Sequence, residues 1–403
     1  MHNLVHDDEA QSADPAAPSA LDATAAPIAE PITDHDRYSR QVLFHGIGAE
    51  GQRRLQQAHA AIVGIGATGA ATAGLLARAG VGCLTLIDRD FVEPSNLQRQ
   101  VLFDEDDARD SLPKAEAARR HLARIDSSVT VAAHIADLVP ANIATLLAGA
   151  DIILDGTDNF ETRYLLNDFC VQQSIPWIYA AAVGSYAATM NILPKSSLAV
   201  VEVRHSERSE EPHLRTERSD VPASPLSSAC LSCLFPTPPS GNIETCDTAG
   251  ILSTAVNLAA SLQTTEALKF LTGQPHLMRR TLLSFDLWTG EHSEISTAVP
   301  RPDCQICSLR QFNYLAGIGR PHITLCGRNS VQIHEHHRPI DLLALQTRLA
   351  PLSHIQNVRA NTMLLRFDVP PHTLTVFPDG RALIQGTTDI ALARSLYARF
   401  IGA

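Results

Sequence analysis

Three groups of residues have types and spacings that can do chemistry. Cys230-Leu-Ser-Cys233 and Cys304-Gln-Ile-Cys307 each clip one side of a tetrahedral metal site, and together they supply four thiolates. Four sulfurs leave no open position for water, so a zinc held there is structural. The alternative, two independent redox pairs, lacks a thioredoxin-like context around either pair. A glycine turn, Gly64-Ile-Gly66-Ala-Thr-Gly69, lets the backbone come close to a phosphate, and the helix after it offers that anion unpaired N–H groups. Asp88 follows roughly twenty residues later, where a carboxylate can accept bonds from ribose hydroxyls. The third group is dispersed: Asp90, Asn96, Arg99, Lys114, Asp155 and Asp158. Arginine and lysine can hold phosphates in line for displacement, and paired acids at a strand end suit a hard cation such as Mg²⁺.

These residues need elements to position them. The apolar run Ala60–Val63 reads as a strand, an alanine-rich helix runs from the glycine turn to about Ala79, and Cys83–Ile87 reads as the next strand, ending on Asp88. This is the opening of a Rossmann-type unit. A helix is expected over Gly48–Gln57. Another starts at Lys114, with Pro113 in its first turn and apolar residues at helical spacing. Asp151–Asp155 reads as a buried central strand ending in carboxylates. Strands follow at Trp177–Ala181 and Ala187–Leu193, a helix over Leu252–Leu271, and a hairpin from Leu282–Asp286 to His292–Ile295. Arg163, on the helix after Asp158, can pair with either acid.

The run Asp88-Arg-Asp90-Phe-Val-Glu-Pro-Ser-Asn96-Leu-Gln-Arg99 resembles the strand-end motif of the ubiquitin-activating-like adenylyltransferases, the enzymes that activate sulfur carrier proteins of molybdopterin and thiamine biosynthesis. Arg37-Tyr-Ser-Arg40-Gln is similar to that family's N-terminal element, Lys114 matches its catalytic lysine, Thr157-Asp158-Asn159 matches its magnesium-binding run, and the family carries the same zinc knot. The resemblance covers about residues 37–315. It implies that Arg40 reaches the nucleotide of a neighbouring protomer, hence a homodimer. It implies Mg²⁺ on Asp158, phosphate contacts from Arg99 and Lys114, ribose contact from Asp88, and a pocket completed by Asp90, Asn96, Asn159 and the glycines Gly64, Gly66 and Gly69. Cys246 stands where sulfur-carrier enzymes of the family carry a cysteine that can link covalently to the carrier; the other reading is an inert buried cysteine. Two departures stand out: Ala67 replaces a usual glycine, and the glycine expected shortly before Lys114 is missing.

Composition bounds the rest. The formal charge of −11 argues against a general nucleic-acid or membrane-surface binder. There is no basic and apolar leader and no apolar run long enough to span a bilayer, so a cytoplasmic protein is expected. Residues 1–34 read as a disordered acidic tail and 204–228 as a low-complexity insertion within an adenylation domain of residues 35–316. Residues 317–403 read as a small α+β unit, with strands near His322–Cys326, Val331–His334, Met363–Val369, Thr373–Phe377 and Ala382–Gln385, and helices at Asp341–Leu349 and Ile390–Ile401. Some relatives end in a rhodanese domain. This unit is too short for one, and Cys326-Gly-Arg-Asn-Ser-Val has no arginine at the position where such an anion-binding loop needs it. His334, His336 and His337 read as a polar turn.

The expected fold is therefore α/β: a Rossmann-like, doubly wound, mostly parallel sheet with a four-cysteine zinc knot and a small C-terminal α+β unit. The implied reaction is ATP- and Mg²⁺-dependent adenylation of the C-terminal Gly-Gly carboxylate of a small ubiquitin-like sulfur carrier. Three rivals share parts of the pattern. An NAD-dependent oxidoreductase would leave Arg99, Lys114, Asp158 and the zinc cysteines unused. Against an ATP-dependent RNA-modifying dehydratase stand the zinc cysteines and the acidic charge. The charged set argues against a non-catalytic carrier-binding scaffold.

Overall fold

The computed structural model describes residues 33–195, 227–237, 249–318, 324–325, 330–333, 339–360 and 362–402. The first sheet contains β1 (His59–Val63), β2 (Cys83–Ile87), β3 (Thr130–His134), β4 (Ile152–Asp155), β5 (Trp177–Val183), β6 (Tyr186–Ile192), β7 (Thr281–Asp286) and β8 (Glu291–Ser296). Its order is β3-β2-β1-β4-β5-β6-β7-β8. The first five strands in that order pair in parallel, and β6, β7 and β8 continue antiparallel. The chain steps outward from β1 to β3, then returns to β4 on the other side of β1. That reversal opens a crevice at the carboxyl ends of β1 and β4, where open α/β sheets bind ligands.

Helices cover both faces. α1 (Asp34–Val42), α2 (Gly48–Gln57), α3 (Ala67–Arg78), α4 (Glu105–Arg109) and α5 (Lys114–Ile125) precede the return strand. α6 (Ile143–Leu146), α7 (Phe160–Gln173), α8 (Leu231–Leu234) and α9 (Ser253–Leu271) complete the layers. One core lies under α3, α5 and the end of α9, built from Ile62, Leu76, Leu84, Leu122 and Phe270. The other lies under α6 and α7 and includes Leu165, Trp177, Cys230 and Cys304. α3 is alanine-rich and buried on most of its surface because α9 packs across it. Small side chains let the two backbones approach closely.

α1 begins at Asp34, inside the span expected to be a disordered tail, because the Thr33 side chain accepts the Asp36 N–H and caps the helix. Residues 204–226, most of the expected insertion, lie outside the described residues, as do Cys246, Cys326, His334, His336 and His337.

The C-terminal residues form a second sheet of β9 (Thr324–Leu325), β10 (Ser330–Ile333), β11 (Gln356–Ala360), β12 (Leu365–Val369), β13 (His372–Val376) and β14 (Ala382–Gln385), in the order β11-β12-β13-β14-β10-β9. α10 (Leu342–Leu349) and α11 (Ile390–Phe400) close its core around Phe367, Leu374, Leu396 and Phe400. β11 is an element that the sequence reading lacked. Its residues Gln-Asn-Val-Arg-Ala are mostly exposed, so the apolar alternation that marks a half-buried strand is absent.

Candidate active site

The glycine turn is shaped by close backbone approach at the strand reversal. Gly64 has φ 84°, and a Cβ on Gly69 would stand 1.8 Å from the Gly64 carbonyl oxygen. Gly156, after β4, is wedged against the same carbonyl. At Gly66 the nearest atom to an added Cβ is 3.9 Å away, so its place at the start of α3 is open toward the crevice.

Asp88 leaves β2 and turns back on this loop. Its carboxylate accepts the Ile65 N–H at 2.6 Å and the Asp90 N–H at 2.7 Å. Burial raises its pKa; Lys114 opposes that shift and Asp90 adds to it. Lys114 is buried at the first turn of α5. Its Nζ stands 3.2 Å from Asp90 and its N–H donates to the Asp90 carbonyl at 2.8 Å. The loop before Lys114 manages without the family's glycine because Ser111 takes a positive φ of 49°.

The other predicted residues divide. Asn96 is buried and its side chain accepts the Glu93 N–H at 3.1 Å, bracing the 3-10 turn Pro94–Asn96. Arg99 is held by its bond to the Ser95 carbonyl at 2.9 Å. Asn159 caps α7, accepting the Thr162 N–H at 2.9 Å. Asp158 is exposed in the loop between β4 and α7. Arg40 is exposed in the last turn of α1, and α1 is anchored far from the crevice. Arg37 donates to the Ile125 carbonyl, Tyr38 to Asp126 and Gln41 to the Ala79 carbonyl, all at the C-terminal ends of α5 and α3. The glycine turn and Lys114 are at the N-terminal ends of those helices, about 18 Å away along α3.

Arg163 chooses Asp155. Its Nε stands 2.9 Å from a carboxylate that is fully buried, and Nη2 donates to the Thr157 and Ala180 carbonyls at 2.6 and 3.0 Å. Its guanidinium lies 5.0 Å from the Tyr179 ring centroid. Burial opposes its charge, but Asp155, Tyr179 and Asp158 hold its pKa above the ordinary value. The sequence reading missed Gln263. From α9 it donates to the Asp155 and Ile178 carbonyls at 2.9 and 2.8 Å and accepts from Thr72. The pairing of β4 with β5 ends at Leu154 and Ile178, and Gln263 serves the carbonyls at that end. A lone glutamine in an apolar helix was the available signal.

The four cysteines meet. Their sulfurs all lie within 4.8 Å of one another, with Cys230–Cys304 at 3.5 Å and Cys233–Cys307 at 3.4 Å. A tetrahedral zinc with Zn–S of about 2.3 Å puts its sulfurs roughly 3.8 Å apart, so the set fits that metal. The Arg301 N–H points at the Cys233 sulfur from 3.4 Å. Asp104, Asp107 and His121 also cluster, but His121 is occupied on both nitrogens, by Asp107 and Arg124. Among the described residues no helix is long and apolar enough to cross a membrane.

The ThiF family matches residues 38–306. The chain belongs to the ThiF family. It is 42% identical over 371 residues to the sulfur carrier protein ThiS adenylyltransferase of Bacillus subtilis strain 168, covering 91% of this chain and 99% of that relative. It is 33% identical to the SAMP-activating enzyme E1 of Haloferax volcanii, over 68% of this chain and 89% of the relative. The fold matches a crystal structure of E. coli MccB with ATP at a TM-score of 0.53 and 23% identity, over 68% of this chain and 74% of that one. The mostly parallel sheet is thus that of a ThiF-family fold. The Bacillus match is also long enough to run into the C-terminal unit.

Proposed function

We propose that this protein is an adenylyltransferase that activates the C-terminal Gly-Gly carboxylate of a ubiquitin-like sulfur carrier with ATP, in thiamine or molybdopterin biosynthesis. The observation that carries the reading is the buried Lys114 beside Asp88 and Asp90 at the strand-reversal crevice, in a chain 42% identical to a protein named for this reaction. A fixed cation there serves a triphosphate.

A terminal carboxylate is already ionised near neutral pH, so it needs no general base to attack the α-phosphate. The leaving group is pyrophosphate and the product an acyl-adenylate. The work left to the protein is positioning and charge neutralisation. Lys114 and Arg99 contact the phosphates, Asp88 the ribose, and Gly64, Gly66 and Gly69 admit the nucleotide to the helix N-terminus. Asp90 holds the Lys114 ammonium in place. Asn96 and Asn159 act through the backbone they brace. Asp158 would hold Mg²⁺, which neutralises phosphate charge; a single exposed carboxylate beside the crevice suits an ion that takes most of its ligands from substrate and water. The four cysteines hold structural zinc, and the reading places the enzyme in the reducing cytoplasm, where such thiols persist.

Arg40 cannot serve its own crevice from the far ends of α3 and α5, so in this reading it serves the nucleotide of a second copy, in a homodimer. Cys246 is either the covalent acceptor of the activated carrier or a spectator.

The test is ATP–pyrophosphate exchange with Mg²⁺ and candidate carriers ending in Gly-Gly. Exchange with one carrier, lost in Asp158→Ala, is expected. No exchange with any carrier would overturn the reading.

A further inference from the structure

The C-terminal unit docks on the carboxyl ends of β2 and β3, beside the segment that carries Asp88 and Asp90. That segment is an extended strap. The Asp88 N–H donates to the His134 carbonyl at 3.1 Å, the Asp90 carbonyl receives the Lys114 N–H at 2.8 Å, and the Val92 N–H donates to the Leu112 carbonyl at 2.8 Å. Phe91 bridges to Pro113. Side chains alternate along extended backbone, so with Asp90 facing Lys114, Phe91 turns the other way. It is 4% exposed and packs against Leu364, Phe377 and Ile135.

A polar clasp lies next to this contact. Arg381, on the turn between β13 and β14, is 5% exposed. Its Nη2 donates to the Ile135 carbonyl at 2.9 Å and its Nε to Asp379 at 2.6 Å, while the guanidinium lies 4.7 Å from the Phe377 ring centroid. Ile135 directly follows His134, whose carbonyl receives the Asp88 N–H. The clasp and the predicted ribose carboxylate are therefore attached to adjacent peptides. Arg366 adds a lid, 4.6 Å over the Phe91 ring and 3.8 Å from Glu93. Further along, the seam opens into a cleft of about 440 Å³ between Glu93, Ser95 and Arg359, so the close contact is concentrated at Phe91 and Arg381.

We propose that the C-terminal unit is a positioning element for the nucleotide site, in which Arg381 and Phe377 clamp the Asp88–Val92 strap and so fix Asp88, Asp90 and Lys114 before ATP arrives. A buried guanidinium must keep its acceptors or become costly, so Arg381 fixes one docking register. A strap ordered in advance does not have to be ordered by the ligand. The inference rests on the adenylation reading for its functional consequence and on the seam alone for its mechanical one.

The experiment separates the two, using the full chain. Hydrogen exchange of the Asp88, Asp90, Val92 and Lys114 amides is compared in wild type, Arg381→Ala and Arg381→Lys. Loss of the clasp is expected to speed these amides about tenfold, the factor one charge-assisted hydrogen bond is worth, with the β4 amides unmoved. Arg381→Lys keeps a donor for the Ile135 carbonyl and should recover most of the protection. In pyrophosphate exchange, Arg381→Ala should raise KM for ATP about tenfold with kcat nearly unchanged. If strap protection is unchanged, or falls only in step with the whole protein, the inference is overturned. Absence of wild-type activity would overturn the adenylation reading while the exchange pattern still decides the clasp. Should Arg381→Ala not fold, Arg366→Ala, at the half-buried rim over Phe91, takes its place, with the same two outcomes.

Discussion

Replacing Arg163 with methionine tests whether the crevice is built on one buried ion pair. Methionine fills most of the volume, so the cavity penalty is small and the electrostatic term stands alone. Arg163 is the charge partner of Asp155, at 2.9 Å and with no exposure of the carboxylate. Without it, Asp155 keeps only the Thr157 N–H and hydroxyl at 2.9 and 2.7 Å and a long contact from Ala180. Breaking such a pair on one side costs about 3–5 kcal/mol, and the Thr157 and Ala180 carbonyls lose a donor, worth about 1 kcal/mol each. The expected loss is about 5–7 kcal/mol, much of the total stability of an ordinary domain. In the double variant Asp155→Asn/Arg163→Met the uncompensated charge is gone, and about 2–3 kcal/mol should return as coupling between the two sites. Urea unfolding followed by circular dichroism measures both. Pyrophosphate exchange should stay low in the double variant, because the loop that carries Asp158 has lost its anchor at Thr157. A loss below about 1 kcal/mol in Arg163→Met, or strict additivity in the double variant, would refute the reasoning.

Three further outcomes follow from the same structure. Gly69→Ala, whose Cβ would strike the Gly64 carbonyl at 1.8 Å, should cost about 2–3 kcal/mol and abolish ATP binding, whereas Gly74→Ala in the same helix meets only the Leu102 side chain at 3.4 Å and should be neutral or gain a few tenths of a kcal/mol; urea midpoints compare them. Metal analysis should find zinc at one per chain, and either chelation or Cys304→Ser should release it and lower the thermal midpoint, with thiol titration rising as the metal leaves. Burial raises the Asp168 pKa from 3.8 to about 6, although the Tyr314 and Leu315 N–H groups oppose the shift. An acid raised in the folded state binds its proton there longer than in the unfolded chain. Its contribution is therefore intact below the unfolded value and is lost as pH rises to about 6, on the order of 3 kcal/mol. Asp168→Asn should remove that fall, read as the stability difference between variant and wild type at each pH from 4 to 7, and an unchanged difference would sink the assignment.

Sequence alone determined the chemistry-bearing motifs and most of the elements that carry them. The glycine turn, the acid after β2 and the lysine at a helix start are local signals, because each is set by a strand or helix end only a few residues away. The cysteine spacing was legible for the same reason: metal clips are short. Tertiary structure decided what each side chain does with its neighbours. Whether Arg163 would take Asp155 or Asp158 was open in the sequence, because both lie within reach of one helical turn; burial decided it, since only the fully enclosed carboxylate requires a cation. Gln263 is about a hundred residues from the carbonyls it serves, and no periodicity announces a role that arises where the pairing of β4 with β5 ends. Strand β11 was invisible because a mostly exposed strand has no apolar alternation. The seam between Arg381 and Ile135 spans 246 positions. Sequence patterns report local periodicity and turn chemistry, whereas contacts across such separations exist only once two packed bodies have met.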